Sequence, residues 1–223
     1  MQPLGDIIRS YGIEYHSYAD DTQIYVYFDP ADETDMLTTV SKLESCINDV
    51  KLFMCKNKLK LNDDKTEMIL FSSRYRPAPD TLPPIKIGDI YINPSTSVKN
   101  LGVYFESQLG MHKHISNICK VANFQLRNIG RSRKILTKSA TECLVHAFIS
   151  SKLDYCNSLL YGVPNTQIKR LQNIQNTAAR IVTLTKKFDH ITSIVKELNW
   201  LPILERIEYK VLLFAFVCIC IAV

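Results

Sequence analysis

The sequence predicts an α+β chain in which a small layer of strands with one packed helix precedes a bundle of helices, the change falling near residue 109. Three observations predict it. Apolar and polar residues alternate between positions 12 and 28, apolar residues then recur every three or four positions from Met36 to Met54, and beyond Gly110 the pattern is helical almost throughout. Residues 1–109 and 110–223 are therefore read as two units. At 223 residues, 46% hydrophobic and 22% charged, the composition is that of an ordinary globular protein, which excludes a disordered or fibrous chain.

Residues 12–17 and 22–28 each alternate, the second run with Ile24, Val26 and Phe28 on one face, and Tyr18-Ala19-Asp20-Asp21 lies between them. This predicts a β-hairpin with two carboxylates at its bend. Tight turns favour Asn-Gly or Asp-Gly because glycine accepts positive φ, so Asp-Asp is a poor choice, and adjacent like charges repel. The pair is either a cation-holding site or two solvated turn aspartates. Asp29-Pro30 predicts a helix start, with Asp32, Glu33 and Asp35 suited to the positive end of the helix dipole. Met36, Leu37, Val40, Leu43, Ile47, Val50 and Met54 would bury one face of that helix across the sheet, as far as about Asn57.

Asn62-Asp63-Asp64-Lys65 predicts a turn and 66–71 a strand, giving a β-β-α-β order. Residues 72–84, with four prolines, predict an extended surface connection. Ile85-Lys86-Ile87 and Ile90-Tyr91-Ile92 around Gly88-Asp89 predict a small hairpin, and 98–105 one further strand.

Helices are expected over 112–131, 138–161, 167–184 and 204–219, separated by Gly130, Gly162-Val163-Pro164 and Trp200-Leu201-Pro202. Phe148, Tyr155 and Tyr161 follow the apolar period and are expected in the core, with Trp200 a plug between helices. The apolar run 211–223 is shorter than the about 20 residues a spanning helix needs, so a buried helix end is expected. Seven cysteines show no CxxC pair and no histidine at ligand spacing, and are expected to be small buried hydrophobes in a reducing compartment. His112, His114, His146 and His190 are expected at surfaces or interfaces. Asp6 and Arg9 interrupt what would have to be the apolar core of a secretory signal, so an intracellular chain, nuclear or cytoplasmic, is expected.

The net charge of +5 is unevenly spread. Residues 111–187 carry 13 Lys and Arg against only Glu142 and Asp154, whereas 1–110 carry 11 basic and 16 acidic side chains. A basic block on periodic helices is the footprint of a polyanion, nucleic acid ahead of an anionic membrane. Candidate phosphate contacts are Lys120, Arg127, Arg131, Arg133, Lys134 and Lys138, with Lys169, Arg170 and Arg180 on later helices. Solvated helix faces are the alternative.

Together these residues resemble the C-terminal part of a reverse transcriptase from a LINE-type, non-LTR retrotransposon of the jockey-like kind. Tyr18-Ala19-Asp20-Asp21 is similar to the family's third palm motif and Leu61-Asn62-Asp63-Asp64-Lys65-Thr66-Glu67 to the fourth. Lys99-Asn100-Leu101-Gly102-Val103 lies where the primer-grip hairpin is expected. Leu153-Asp154-Tyr155-Cys156-Asn157-Ser158-Leu159-Leu160-Tyr161-Gly162, Gln175-Asn176-Thr177-Ala178-Ala179-Arg180 and Trp200-Leu201-Pro202 resemble stretches of the family's thumb and of the region after it. The resemblance implies a partial palm, an antiparallel sheet with a packed helix, over 1–109 and a helical thumb bundle over 110–223.

The resemblance also implies nucleotidyl transfer to a primer 3′-hydroxyl with two Mg²⁺ ions, Asp20 a metal ligand and Asp21 a second, weaker one. Lys65 would approach the triphosphate as a general acid, the alternative being a solvated turn lysine. The implied partners are an RNA template and a DNA primer, with no membrane. In the family, a further aspartate, a Gly-Gln-containing palm motif and the fingers precede the hairpin, whereas here only 19 residues precede Asp20. After Phe214 the chain is apolar where the family is polar. A fragment of a decayed element is therefore expected, with an incomplete Mg²⁺ cage and no activity alone. Non-catalytic binding of RNA or an RNA–DNA duplex, or a product with no function, are the alternatives.

Overall fold

The computed structural model describes residues 2–73, 75–79, 82–88 and 90–221. They divide into two compact units, Met1–Val98 with Glu106–Leu109, and Lys99–Phe105 with Gly110–Val223.

The first unit begins with α1 (Gln2–Ser10), a helix not anticipated although Leu4, Ile7, Ile8 and Tyr11 keep helical spacing and pack into the core. Strands β1 (Glu14–Tyr18) and β2 (Asp21–Tyr25) form the expected antiparallel hairpin. Helix α2 (Glu33–Lys56) starts later than Asp29-Pro30. Its N-cap is Asp32, whose carboxylate accepts from the backbone N–H groups of Thr34 (2.9 Å) and Asp35 (3.2 Å), donors the helix itself leaves unpaired. Of the expected stripe Met36 and Val50 are buried, joined by Cys46, while Leu37 stays 48% exposed. Ile8, Ile13, Cys46 and Val50 make a small core onto which Tyr15, Ile24 and Val26 of the hairpin pack.

The single antiparallel sheet does not form. The remaining strands are β3 (Met68–Ile69), β4 (Ile85–Ile87), β5 (Ile90–Ile92), β6 (Pro94–Ser95), β7 (Ser97–Asn100) and β8 (Val103–Glu106). Among the described residues all eight pair only as two-stranded ladders, β1–β2, β4–β5 and β7–β8, with β3 parallel to β6. Prolines 77, 79, 83, 84 and 94 remove the backbone donors a wider sheet needs. The backbone N–H of Lys86 in β4 donates to the Glu44 carboxylate of α2 at 2.6 Å, so a helix side chain takes the place of a neighbouring strand. The expected strand over 66–71 shrinks to β3. The expected strand over 98–105 is a hairpin, because Leu101 (φ 45°) and Gly102 (φ 84°) both adopt the left-handed conformation of a tight reversal. Gly88 takes φ 62° at the β4–β5 turn, and its expected companion Asp89 lies outside the described residues.

Apart from residues 99–105 of the β7–β8 hairpin, the second unit is helical. Helix α3 (His112–Ser132) runs through Gly130 without a break. Where one helix over 138–161 was expected, the chain forms α4 (Lys138–Val145), a π-turn (His146–Ser150) and α5 (Ser151–Asp154). It stops there because Tyr155 turns extended and Cys156 takes φ 52°, starting a 3-10 turn (Asn157–Leu160). Phe148 in the π-turn and Tyr155 and Tyr161 at and beyond the break are 45%, 50% and 65% exposed, so they are not core residues.

Helix α6 (Asn165–Thr183), the short and unanticipated α7 (Thr192–Glu197) and α8 (Ile203–Ile221) complete the unit. Trp200 is buried as a plug, its ring meeting His146 edge-on at 5.5 Å. Gln175 donates to the Leu201 carbonyl at 2.8 Å and Gln172 accepts from the Ile203 N–H at 2.9 Å, fixing the entry to α8.

The apolar end of α8 is not buried. Only Ile203 and Ile207 enter the core, and every described residue from Leu212 on is exposed. Among the described residues no helix is long and apolar enough to cross a membrane. The cysteines also depart from expectation: Cys46 is buried and Cys119 half-buried, but Cys55, Cys143, Cys156, Cys218 and Cys220 are exposed, and all seven are free thiols.

Candidate functional site

The β1–β2 register pairs Tyr18 with Asp21 and leaves Ala19 and Asp20 as a two-residue loop. Ala19 has φ 55°, the positive sign that this loop class requires at its first position. One step down, the Ser17 and Thr22 hydroxyls share a hydrogen bond of 3.2 Å. Tyr15 anchors the ladder from its inner face, lying so close over Gly5 of α1 that a Cβ there would overlap its ring, with the Arg9 guanidinium 5.5 Å from the ring centre. The other face, carrying Glu14, His16, Tyr18 and Asp21, is open.

Asp20 and Asp21 are both exposed, and no described residue donates a hydrogen bond to, or forms an ion pair with, either side-chain carboxylate. Two adjacent exposed carboxylates at a bend without compensating donors are open both to hydration and to a cation from outside. Mg²⁺ demands a nearly complete octahedron of oxygens, and the described residues contain no cluster of three His, Cys, Asp or Glu. The donor set present therefore fits only part of a Mg²⁺ shell. Lys65 closes a separate 3-10 turn (Asp63–Lys65) and is exposed.

In the second unit the tip of the β7–β8 hairpin is tied down by Tyr155, whose hydroxyl donates to the Leu101 carbonyl at 2.6 Å. A Cβ on Gly102 would press against the same ring at 3.4 Å. Lys99 and Lys113 stand 5.9 and 5.2 Å from the Tyr104 ring centre.

The nine basic candidates separate into two groups. Arg133 donates to the carbonyls of Ile181, Val182 and Leu136, and Arg180 to those of Lys186 and Asp189. Arg170 donates to Gln167 (2.8 Å) and Ser116 (2.9 Å), and Lys138 pairs with Glu197 at 3.4 Å. Lys120, Arg127, Arg131, Lys134 and Lys169 are exposed and form no hydrogen bond or ion pair with a described residue. Sequence spacing does not separate these groups, because each intrachain partner of the first lies on another turn or helix. Of the histidines His114 is buried, and burial pushes its imidazole below the ordinary 6.5. Burial also pushes the Cys119 thiol up, against the opposing pull of Arg170.

No family model matches the chain, and no solved structure is significantly similar to it. It is similar to the probable RNA-directed DNA polymerase from transposon X-element of Drosophila melanogaster, with 25% identity over 153 residues. That match covers 66% of this chain and 16% of the fly protein, so the chain spans a small part of its relative's length. The chain thus has a reverse-transcriptase-like relative.

Proposed function

We propose that the chain is a piece of an RNA-directed DNA polymerase of a non-LTR, LINE-type retrotransposon, residues 1–109 contributing part of the palm and 110–223 the thumb. The observation that carries this reading is the exposed Asp20-Asp21 pair at a hairpin bend, in a chain similar to a transposon polymerase. In the intact enzyme Asp20 and Asp21 would hold Mg²⁺, which when bound stabilises the attacking and leaving oxygens of nucleotidyl transfer. Lys65 would donate a proton to the departing pyrophosphate. An RNA template paired with a DNA primer is the proposed partner. With two carboxylates at the bend and no cluster of three metal-ligating side chains among the described residues, the expectation is that the chain is inactive alone.

A Mn²⁺ titration followed by amide NMR tests the metal role without requiring turnover. Broadening confined to the β1–β2 bend, and lost in Asp20→Asn, is the expected result; broadening that is absent or spread over all acidic residues would overturn it. Primer extension by the isolated chain with Mg²⁺ or Mn²⁺ should yield no product. Template-dependent incorporation abolished by Asp20→Ala would reverse the inactivity claim.

A second reading is favoured by the unpartnered cations of α3: nucleic-acid binding that persists without catalysis. Such binding falls steeply with salt and is nearly indifferent to sequence.

A further inference from the structure

On α3 the buried positions Ile115, Ala122, Leu126 and Ile129 fall on one side of the helix. On the opposite side, at 3.6 residues per turn, Lys113, Lys120, Phe124, Arg127 and Arg131 fall within a sector of about 60°. Lys120, Arg127 and Arg131 are exposed and without intrachain partners, and none of the five is acidic. Phe124 sits in the middle of this stripe at 60% exposure, in a helix whose apolar side is already filled. A large ring projecting among cations has no part in folding that the structure reveals.

Charge complementarity selects a polyanion for this face. An anionic bilayer is disfavoured, because an interfacial helix presents a broad apolar face to lipid and the outer face of α3 offers one ring. Nucleic acid matches better. Lys120 and Arg127 flank the ring about 6 and about 4.5 Å along the helix axis, so one strand could set phosphates on the cations and a base between them. A base offers its flat face only where it is unpaired, and stacking of that face on an aromatic side chain tolerates any sequence. We propose that the outer face of α3 is a track for single-stranded nucleic acid, on which Lys120, Arg127 and Arg131 take phosphates and the Phe124 ring stacks on an unpaired base. This rests on the nucleic-acid reading above and narrows it from a duplex to an unpaired strand.

The test is fluorescence anisotropy of the full chain at low salt, with an unstructured oligothymidylate, a blunt duplex of equal length, and phosphatidylserine vesicles as competitor. The single strand should bind more tightly than the duplex. Phe124→Ala should weaken single-strand binding about tenfold and leave duplex binding unchanged. Phe124→Trp should restore it, and Phe124→Leu, which keeps the bulk without the ring, should not. Neutralising Lys120, Arg127 and Arg131 together should flatten the slope of log affinity against log salt by about 2, at about 0.7 per single-strand phosphate. All four positions are exposed, so melting temperatures should not move.

Binding by Phe124→Ala equal to that of the unaltered chain, or full displacement by the vesicles, would overturn the track while leaving duplex binding intact. Failure to retain either oligonucleotide would instead defeat the nucleic-acid reading itself.

Discussion

The Arg133 guanidinium lies 2.9 Å from the Ile181 carbonyl oxygen, donating through Nε, and reaches the Val182 carbonyl at 3.0 Å through Nη2. Both acceptors belong to the last turn of α6, where helical carbonyls have no partner of their own and a cation meets the negative end of the dipole. Arg131, two residues away, has no such task. Hydrogen bonds to a charged donor contribute about 1.5–3 kcal/mol each, so Arg133→Ala should cost about 2–3 kcal/mol of stability. Arg131→Ala should stay within about 0.5 kcal/mol while weakening oligonucleotide binding. Urea denaturation of both variants beside a salt titration checks this; equal stability would mean that the α6 cap contributes nothing.

Ala19 holds the bend of the acidic hairpin at φ 55°, a conformation that disfavours any Cβ. Ala19→Gly should therefore stabilise the first unit, by up to about 1 kcal/mol, and Ala19→Val should destabilise it, since a branched side chain suits φ > 0 least. Cross-strand nuclear Overhauser contacts between Tyr18 and Asp21 would report whether the register survives. Loss of the register in the glycine variant would contradict the turn geometry.

Burial pushes the imidazole of His114 below the ordinary 6.5. The unfolded chain takes up a proton on this residue near pH 6.5, whereas the folded chain does so only at lower pH. Between the two values the unfolded state binds more protons, so unfolding free energy rises with pH through that window and is flat above it. His114→Leu should remove this component of the slope. Denaturant melts across the window decide the matter, and an unchanged slope in the variant would assign the pH dependence to other groups.

Phe214 and Phe216 are 54% and 64% exposed on α8, whereas Ile207 on the same helix is 1% exposed. Converting both phenylalanines to serine should leave the thermal midpoint unchanged and reduce concentration-dependent association seen by sedimentation velocity. Ile207→Ala should cost about 2–5 kcal/mol by opening a cavity. Serine variants that melt as early as Ile207→Ala would mean that the helix end packs in solution.

Local chemistry was legible in the sequence wherever neighbours along the chain decide the outcome. The period of α3 and α6, the alternation that frames the acidic bend, and the Gly88 turn all follow from backbone geometry and adjacent side chains. The candidate Asp20-Asp21 bend belongs to this class.

Tertiary structure decided whatever depends on a partner distant in the chain. Spacing does not distinguish Arg133, spent on α6, from Arg131, which faces solvent. Nor does it reveal that Glu44 stands where another strand would pair with β4, or that core packing along α8 ends at Ile207 and leaves Phe214 outside. Periodicity states which side chains share a face, and only the packing of distant segments settles whether anything lies against it.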